Sequence, residues 1–284
     1  MLAEGFAGMG QAIDHIALAI IEGFSEFLPV SSTGHMIIYD ELFARTHDDS
    51  RVTYMIVIQA GAIAAIAHIY FARLIYWLGE FIAVLRKKSG QSVAQDGAHW
   101  FLLKLACAVI PFGIVGLLFK DQVKALFSAK SVGGALLVGG LLLIFDDLRM
   151  RRNPDFRPDR VEGLTWFDAI VVGCCQCMAL WPGFSRSAAA ILGARARGFS
   201  PRTAAEISFL IGLPTIGGTA LYEFAKSFAT IRSDQIVWLC VGSGIAWFTA
   251  FVSVKWFLSI VSRGGLMFFG IYRCVVGIFL LTYL

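Results

Sequence analysis

Hydrophobic stretches close to membrane-spanning length recur along the whole 284-residue chain. The clearest of them cover residues 54–71, 101–119, 132–148, 206–222, 236–254 and 265–284. Each is nearly free of charge, and the bilayer interior offers no water to backbone N–H and C=O groups, so these groups must be satisfied within helices. The pattern therefore predicts an all-α, polytopic membrane helix bundle.

Composition excludes a water-soluble globular protein. Apolar residues make up 57% of the chain and charged residues only 15%, too few to cover a water-facing surface. The net charge of +4 is too small to indicate a nucleic-acid partner. The expected partner is the lipid bilayer itself.

Basic residues indicate the orientation of the predicted spans. The segments 72–100 and 149–163 are the most basic connections, and we expect both to be cytoplasmic loops. The two spans between them then form a hairpin with its turn outside. The connection 40–53 contains more acidic than basic residues and is expected outside.

Two further segments do not have the pattern of ordinary spans. Segment 14–38 begins apolar, turns polar and breaks at Pro29, and segment 166–190 begins apolar and breaks at Pro182. Irregular backbone at membrane depth is tolerated only where protein or water surrounds it. We interpret both segments as re-entrant helix–loop–helix elements.

The two broken segments also resemble each other. A shift of 154 residues aligns Asp14 with Asp168, Glu22 with Gln176, Phe27 with Trp181, Ser31 with Ser185 and Thr33 with Ser187. Three predicted spans separate the segments, so the second would enter from the opposite face. This predicts one membrane domain over 1–284, built as an inverted repeat with halves of about 10–148 and 164–284, and with both tips near the midplane.

The first polar motif runs from Glu22 to His35. Glu22 and Glu26 share one helix face, where a pair of carboxylates in a membrane is costly. They would either pair with basic residues, bind a divalent cation, or position and deprotonate a nucleophile.

Hydroxyl groups follow the proline of this motif. Ser31, Ser32 and Thr33, with Gly34, stand where a new helix would begin, and a helix start favours anions. Serine and threonine at this position are also common helix N-caps. His35 completes the cluster, and we favour a catalytic role for it over that of an interfacial histidine.

The second polar motif is Pro182-Gly183-Phe184-Ser185-Arg186-Ser187. A guanidinium forms bidentate hydrogen bonds with phosphate oxygens and keeps its charge when buried, so Arg186 is a candidate phosphate clamp. The alternative is an arginine that extends to the membrane interface. Arg195, Arg197 and Arg202 follow, and we assign them to a cytoplasmic loop.

Together these residue types fit phosphoryl transfer better than other chemistry. The candidate catalytic residues are Glu22, Glu26, Ser31, Ser32, His35 and Arg186. The candidate phosphate-binding residues are Thr33, Gly34, Gly183, Ser185, Arg186 and Ser187. Glu22 and Glu26 are also the candidate ligands of a metal ion. No GxxxxGK[ST] sequence is present, so nothing in the sequence supports nucleotide-driven transport.

At these motifs the chain resembles the bacitracin-resistance family of undecaprenyl-diphosphate phosphatases. The family signature E-x-x-x-E-x-x-P-V-S-S-T-G-H matches Glu22 to His35 at every fixed position. The second signature, P-G-x-S-R-S-x-x-T, matches Pro182 to Ser187, but Ala190 replaces the final threonine.

The resemblance implies an enzyme of the bacterial inner membrane. Its substrate would be a long-chain isoprenyl diphosphate, undecaprenyl diphosphate, and its site would open to the periplasmic face. Removal of the terminal phosphate would regenerate the carrier lipid for peptidoglycan and would confer bacitracin resistance. The resemblance also implies a divalent cation, Mg²⁺ or Ca²⁺.

Three questions stay open at this point. The nucleophile is Ser32, Ser31, His35 or a water molecule, and we favour a hydroxyl activated by Glu26 with His35 assisting proton transfer. Broken helices in inverted repeats are also transporter architecture, so a lipid flippase or transporter is the alternative function. The glycine pairs Gly133-Gly134 and Gly139-Gly140 would pack helices either within the chain or between two copies in a homodimer.

Overall fold

The secondary structure is helical throughout the part of the chain that the computed structural model describes. The described residues are 2–43, 49–86, 98–152, 156, 160–227 and 233–283. They form α-helices and short 3₁₀ turns, with no β-strand among them. The helices are α1 (Leu2–Ser25), α2 (Ser32–Leu42), α3 (Asp49–Ile69), α4 (Phe71–Arg86), α5 (Phe101–Cys107), α6 (Ile110–Leu118), α7 (Lys120–Ala125), α8 (Ala129–Arg152), α9 (Trp166–Gln176), α10 (Arg186–Ala196), α11 (Pro201–Ser227), α12 (Ser233–Gly264) and α13 (Met267–Tyr283).

Within the described residues, five helical segments are long and apolar enough to cross a membrane. They are Arg51–Ile69, Phe101–Leu118, Ala129–Arg152, Pro201–Lys226 and Gln235–Ser262. Each overlaps a predicted span, and the sixth predicted span, 265–284, corresponds to the shorter apolar helix α13. The predicted all-α membrane helix bundle is therefore confirmed.

The predicted span 101–119 consists of two helices. α5 ends at Cys107 and α6 begins at Ile110, with Pro111 in its first turn. A proline lacks the backbone N–H that would continue the helical hydrogen bonds. The side-chain amide of Gln176 donates a hydrogen bond of 3.1 Å to the Ala108 carbonyl at this break. The buried glutamine of α9 thus satisfies a carbonyl that the interrupted helix leaves without its usual donor.

The prediction of a loop over residues 72–100 is wrong for most of that segment. Residues 71–86 form α4, and Ala98–Trp100 form a 3₁₀ turn before α5. Residues 87–97 lie outside the described part of the chain. The basic residues that suggested a loop are Arg73 in the first turn of α4 and three residues at its end and just after it, whereas apolar residues recur at helical spacing between them.

The assignment of Arg195, Arg197 and Arg202 to a loop is also wrong. Arg195 belongs to α10 and is fully buried, where it forms an ion pair with Asp146 of α8. Arg197 follows the end of α10 and pairs with Asp168 at 2.6 Å. Arg202 lies in α11. α10 continues two turns beyond the second polar motif, and the carboxylates of α8 and α9 compensate the charges it carries.

Glycines let α8 and α13 approach each other closely. A Cβ atom added at Gly140 would lie 2.7 Å from the Gly270 carbonyl oxygen, and one added at Gly277 would lie 2.7 Å from the Gly133 carbonyl oxygen. Both distances are shorter than any relaxed contact. Gly133, Gly139 and Gly140 therefore pack α8 against α13. Of the two possibilities left open by the sequence, these three glycines pack helices within the chain.

Candidate active site

Each of the two broken segments changes direction at a serine with unusual backbone geometry. Ser31 has φ 76° and ψ 97°, and Ser185 has φ 76° and ψ 122°. They are the only non-glycine residues with positive φ in the described part of the chain. Positive φ is costly for an L-residue with a side chain and persists where the surrounding structure holds it. The two serines are 154 residues apart, which is the shift that aligned the two segments in sequence.

Both serines cap the helix that follows them. The Ser31 hydroxyl accepts the Gly34 N–H at the start of α2, and the Ser185 hydroxyl accepts the Ala188 N–H at the start of α10, each at 3.2 Å. A helix start has several backbone N–H groups without helical partners and the positive end of the helix dipole. The structure therefore repeats one anion-attracting device in both broken segments. The opposed orientation of the two halves stays a prediction.

Glu26 joins the two motifs. One oxygen of its buried carboxylate, Oε1, accepts a hydrogen bond of 2.5 Å from Nη2 of Arg186. The other oxygen, Oε2, accepts a hydrogen bond from the Ser32 hydroxyl. A single carboxylate thus contacts a hydroxyl of its own motif and a guanidinium that lies 160 residues away in the sequence.

A cavity of about 270 Å³ lies against this group. Its polar lining contains most of the predicted site residues. They are Glu26, Ser31, Ser32, Thr33, Gly183, Ser185 and Arg186. Its remaining wall is largely apolar and includes Phe112, Phe127 and Leu180, together with the hydroxyl-bearing Thr219. The sequence analysis missed Thr219, because one threonine in a predicted span has no distinguishing pattern.

Glu22 and Ser187 do not line this cavity. Glu22 has no exposed surface, and neither of its carboxylate oxygens has a hydrogen-bond partner among the described residues. Glu26, Arg186 and Ser32 nevertheless lie close enough to act on it electrostatically. Ser187 instead donates a hydrogen bond of 2.7 Å to the Leu28 carbonyl, so it ties the second broken segment to the first. Gly34, also outside the lining, donates its N–H to the Ser31 cap.

His35 faces away from the polar cavity. Its Nδ1 atom lies 2.7 Å from the Ser31 carbonyl oxygen, and its Nε2 atom lies 2.7 Å from the Tyr272 hydroxyl. Its ring lines a separate apolar cavity, together with residues of α1, α12 and α13 such as Phe24 and Trp256. The structure thus brings Ser32, Glu26 and Arg186 into direct contact and leaves His35 outside that group.

Arg273 is a second residue that the sequence analysis missed. It is fully buried, and its guanidinium donates to the Pro29 carbonyl at 2.9 Å and to the Gly183 carbonyl at 3.1 Å. One cation therefore holds the backbones of both broken segments together. Further hydrogen bonds to carbonyl oxygens of Ala135 and Leu136 attach it to α8. An arginine inside the apolar stretch 265–284 was the available signal, because a charge in such a stretch rarely lacks a specific role.

We expect Arg273→Met to weaken both the fold and the site. The substitution leaves the Pro29 and Gly183 carbonyls without this donor, at a cost of roughly 1–3 kcal/mol for each buried group. The two broken segments should also shift relative to each other, and small misplacements of reacting groups cost large factors in rate. Thermal unfolding in detergent and the turnover of the folded fraction measure the two effects.

The control for this variant is Arg149→Met, because Arg149 is an exposed arginine of α8. It should leave both quantities close to wild type. Unchanged unfolding and turnover in Arg273→Met would show that the broken segments do not depend on this cation.

Two carboxylates are the available donors for a metal ion. No group of three or more histidine, cysteine, aspartate or glutamate side chains suited to a metal occurs in the described residues. Glu22 is buried with both oxygens unpartnered among those residues, and hard cations prefer carboxylate oxygen. Magnesium commonly takes one or two carboxylates and completes its coordination with water and substrate phosphates, so Glu22 and Glu26 fit such an ion.

Comparison with known protein families gives one finding. A family model described as "Bacitracin resistance protein BacA" matches residues 15–279. The matched region contains both broken segments and Arg273 and omits only the two ends of the chain.

Proposed function

The chain belongs to the bacitracin resistance protein BacA family, and on this premise we propose that it is an undecaprenyl-diphosphate phosphatase. It hydrolyses the phosphoanhydride of the lipid to undecaprenyl phosphate and inorganic phosphate. The observation that carries the proposal is the Glu26 carboxylate, which contacts both the Ser32 hydroxyl and the Arg186 guanidinium at the wall of one polar cavity. A hydroxyl, a base and a phosphate clamp are the minimum set for phosphoryl transfer.

Ser32 is the nucleophile in this proposal. Its hydroxyl already donates to Glu26, so the carboxylate is placed to take the proton as the serine oxygen attacks the terminal phosphorus. The bond between that phosphorus and the bridging oxygen breaks, and undecaprenyl phosphate leaves with the bridging oxygen. Glu26 gives the proton it took from Ser32 to the departing lipid phosphate. Water then attacks the phosphoserine and Glu26 takes a proton from that water. The bond between phosphorus and the serine oxygen breaks, Glu26 returns the proton to that oxygen, and inorganic phosphate departs with Ser32 regenerated.

The contacts of the other candidates favour Ser32. The Ser31 hydroxyl is engaged as the helix cap of α2, and both ring nitrogens of His35 are engaged, by the Ser31 carbonyl and the Tyr272 hydroxyl. His35 therefore supports the unusual backbone of Ser31 through that residue's carbonyl, a positioning role in place of the assisting role that we favoured from sequence. A water molecule activated by Glu26 is the remaining alternative, and the phosphoserine distinguishes it.

The phosphates bind between the two helix starts. Arg186 has five N–H donors. Among the described residues it donates one of them to Glu26, so others can donate to phosphate oxygens. The first backbone N–H groups of α2 and α10 add anion-binding groups beside Thr33 and Ser185, which line the cavity.

A divalent cation completes the site in this proposal. Glu22 and Glu26 would hold Mg²⁺ or Ca²⁺. When bound, such an ion neutralises charge on the diphosphate and on the departing phosphate oxygen.

The site opens toward the periplasmic face of the inner membrane in our proposal. The cavity wall includes Val123 and Phe127, which lie in and just after α7, in the connection that the charge pattern predicts to be outside. The apolar part of that wall suits the first isoprene units of the substrate. Phosphate removal there would return the carrier lipid to peptidoglycan synthesis and would lower the amount of diphosphate lipid that bacitracin can bind.

Release of inorganic phosphate by purified protein in detergent tests the proposal. We expect release from undecaprenyl diphosphate that depends on added Mg²⁺ or Ca²⁺, because hydrolysis needs no gradient between two compartments. Chelator-treated protein is the matched control. A folded protein that releases no phosphate with either cation would refute the phosphatase, and its paired broken helices would then favour the lipid flippase.

A further inference from the structure

A single residue, Tyr70, separates helix α4 from the end of the transmembrane helix α3. α3 ends at Ile69 and α4 runs from Phe71 to Arg86. Its 16 residues are about 24 Å long at 1.5 Å per residue, shorter than the roughly 30 Å hydrocarbon core. The described length of α4 is therefore less than a membrane crossing requires.

α4 nevertheless presents an apolar stripe to its surroundings. The stripe consists of Phe71, Ile75, Leu78, Ile82 and Leu85, whose exposed fractions run from 36% to 67%. Their spacing of four, three, four and three residues places all five on one side of the helix. An exposed stripe of this kind in water would be a site of association.

A second side of α4 packs against the protein. Trp77 is fully buried, and its ring centroid lies 4.5 Å from that of Phe101 in α5. Trp77 Nε1 also donates to Glu162 at 3.2 Å. The third side carries Ala72, Tyr76, Gly79 and Ala83, all exposed. The helix thus has one protein-facing side, one apolar side and one side with three small residues and a tyrosine.

Charged residues show how deep α4 lies. Arg73 of α4 donates to Glu162 and to Glu206, both at 3.0 Å, and Arg202 contacts Glu206 at 3.4 Å. The arginine side chains are 40% and 56% exposed. Partly exposed charges are costly in the hydrocarbon core, so this level of the protein meets water or lipid headgroups.

The protonated form of Arg73 is stabilised in this position. Burial by itself would lower the pKa of Arg73, but its hydrogen bonds and charge interactions with Glu162 and Glu206 outweigh burial and raise the pKa above the ordinary value. The guanidinium therefore stays protonated at every physiological pH. A partly exposed cation is costly deep among the acyl chains, so Arg73 favours a position of α4 near the membrane surface.

We propose that α4 lies flat in the boundary between headgroups and acyl chains, as a phospholipid-binding surface of the leaflet at this end of the bundle. The stripe from Phe71 to Leu85 contacts acyl chains, and the side with Ala72 and Ala83 faces water. Arg86, exposed at the last described turn of α4, provides positive charge suited to anionic headgroups. This inference does not depend on the phosphatase activity.

Nitroxide labels at matched positions test this placement. Ile75→Cys and Ile82→Cys put labels on the apolar stripe, and Ala72→Cys and Ala83→Cys put them on the predicted water side. The background lacks the native cysteines, which are Cys107, Cys174, Cys175, Cys177, Cys240 and Cys274. The protein is reconstituted in nanodiscs of phosphatidylethanolamine and phosphatidylglycerol, and power-saturation EPR compares collisions with oxygen and with a water-soluble nickel chelate.

We expect oxygen collisions to dominate at positions 75 and 82 and nickel collisions to dominate at positions 72 and 83. Nickel dominance at all four positions would place α4 in water, and oxygen dominance at all four would place it in the hydrocarbon core. Either result would overturn the proposal.

Reaction of the unlabelled cysteine variants with a membrane-impermeant maleimide gives a second measurement. We expect positions 72 and 83 to react in nanodiscs and positions 75 and 82 to react only after denaturation. Equal reaction at stripe and water-side positions in intact nanodiscs would contradict the proposal.

Discussion

Ser32→Ala is expected to lower kcat for phosphate release by about 10³-fold or more, because it removes the group that attacks the phosphorus. Ser32 donates directly to Glu26, and neither Thr33 nor Ser31 makes a recorded hydrogen bond with that carboxylate. The measurement is single-turnover phosphate release from a long-chain isoprenyl diphosphate at saturating cation.

Thr33→Ala is the matched control for Ser32→Ala. Thr33 also lines the cavity and is adjacent in sequence, yet its hydroxyl has no place in the proposed proton transfer. We expect a much smaller loss, through weaker phosphate binding. If both variants lost activity equally, the result would indicate general damage to the helix start instead of loss of the nucleophile.

The phosphoserine intermediate gives this prediction an independent readout. Acid-quenched wild-type protein should yield a phosphorylated peptide that contains Ser32, and Ser32→Ala should not yield one. Near-normal turnover in a folded Ser32→Ala protein would remove Ser32 as nucleophile and would assign the attack to a water molecule activated by Glu26.

Glu26→Gln is expected to lower kcat by roughly 10²–10⁴-fold, the usual contribution of a positioned base. Glutamine keeps the size of the side chain but cannot take the proton of Ser32, and it loses the charge that pairs with Arg186. The loss should persist at any concentration of Mg²⁺, because added cation does not restore a base.

Glu22→Gln separates cation binding from base catalysis. The Ser32 hydroxyl donates to Glu26, whereas the buried carboxylate oxygens of Glu22 have no partner within hydrogen-bond distance among the described residues. We therefore expect Glu22→Gln to raise the concentration of Mg²⁺ needed for half-maximal activity, with partial recovery at high Mg²⁺. A Mg²⁺ requirement equal to wild type would exclude Glu22 as a ligand.

The phosphatase and the flippase make different demands on the same contacts. The proposed hydrolysis uses the Glu26–Ser32 hydrogen bond, whereas lipid transfer between the two motifs would require the broken segments to move apart. Arg273 and the Ser187–Leu28 hydrogen bond join those segments through buried contacts. Buried contacts to main-chain carbonyls hold the two broken segments together. This arrangement favours a fixed catalytic geometry over a cycle in which the two segments separate repeatedly.

Local sequence patterns carried much of the prediction. Hydrophobic length determined the membrane spans, since a helix must cover the hydrocarbon core with apolar side chains. The two prolines and their following serines located both breaks, and the shift of 154 residues identified Ser31 and Ser185 as equivalent before their matching backbone angles were known. These features follow from rules that act over a few neighbouring residues, so they can be predicted from a single sequence.

Only the tertiary structure decided which groups touch. It joined Glu26 to Arg186, turned His35 away from the polar cavity and placed Arg273 across both broken segments. It also buried Arg195 against α8. Each of these contacts joins helices that are distant in the chain, and it depends on how those helices rotate and approach each other. Helix rotation results from the packing of whole faces, such as the glycine contact of α8 with α13, and a local pattern of residue types does not specify it.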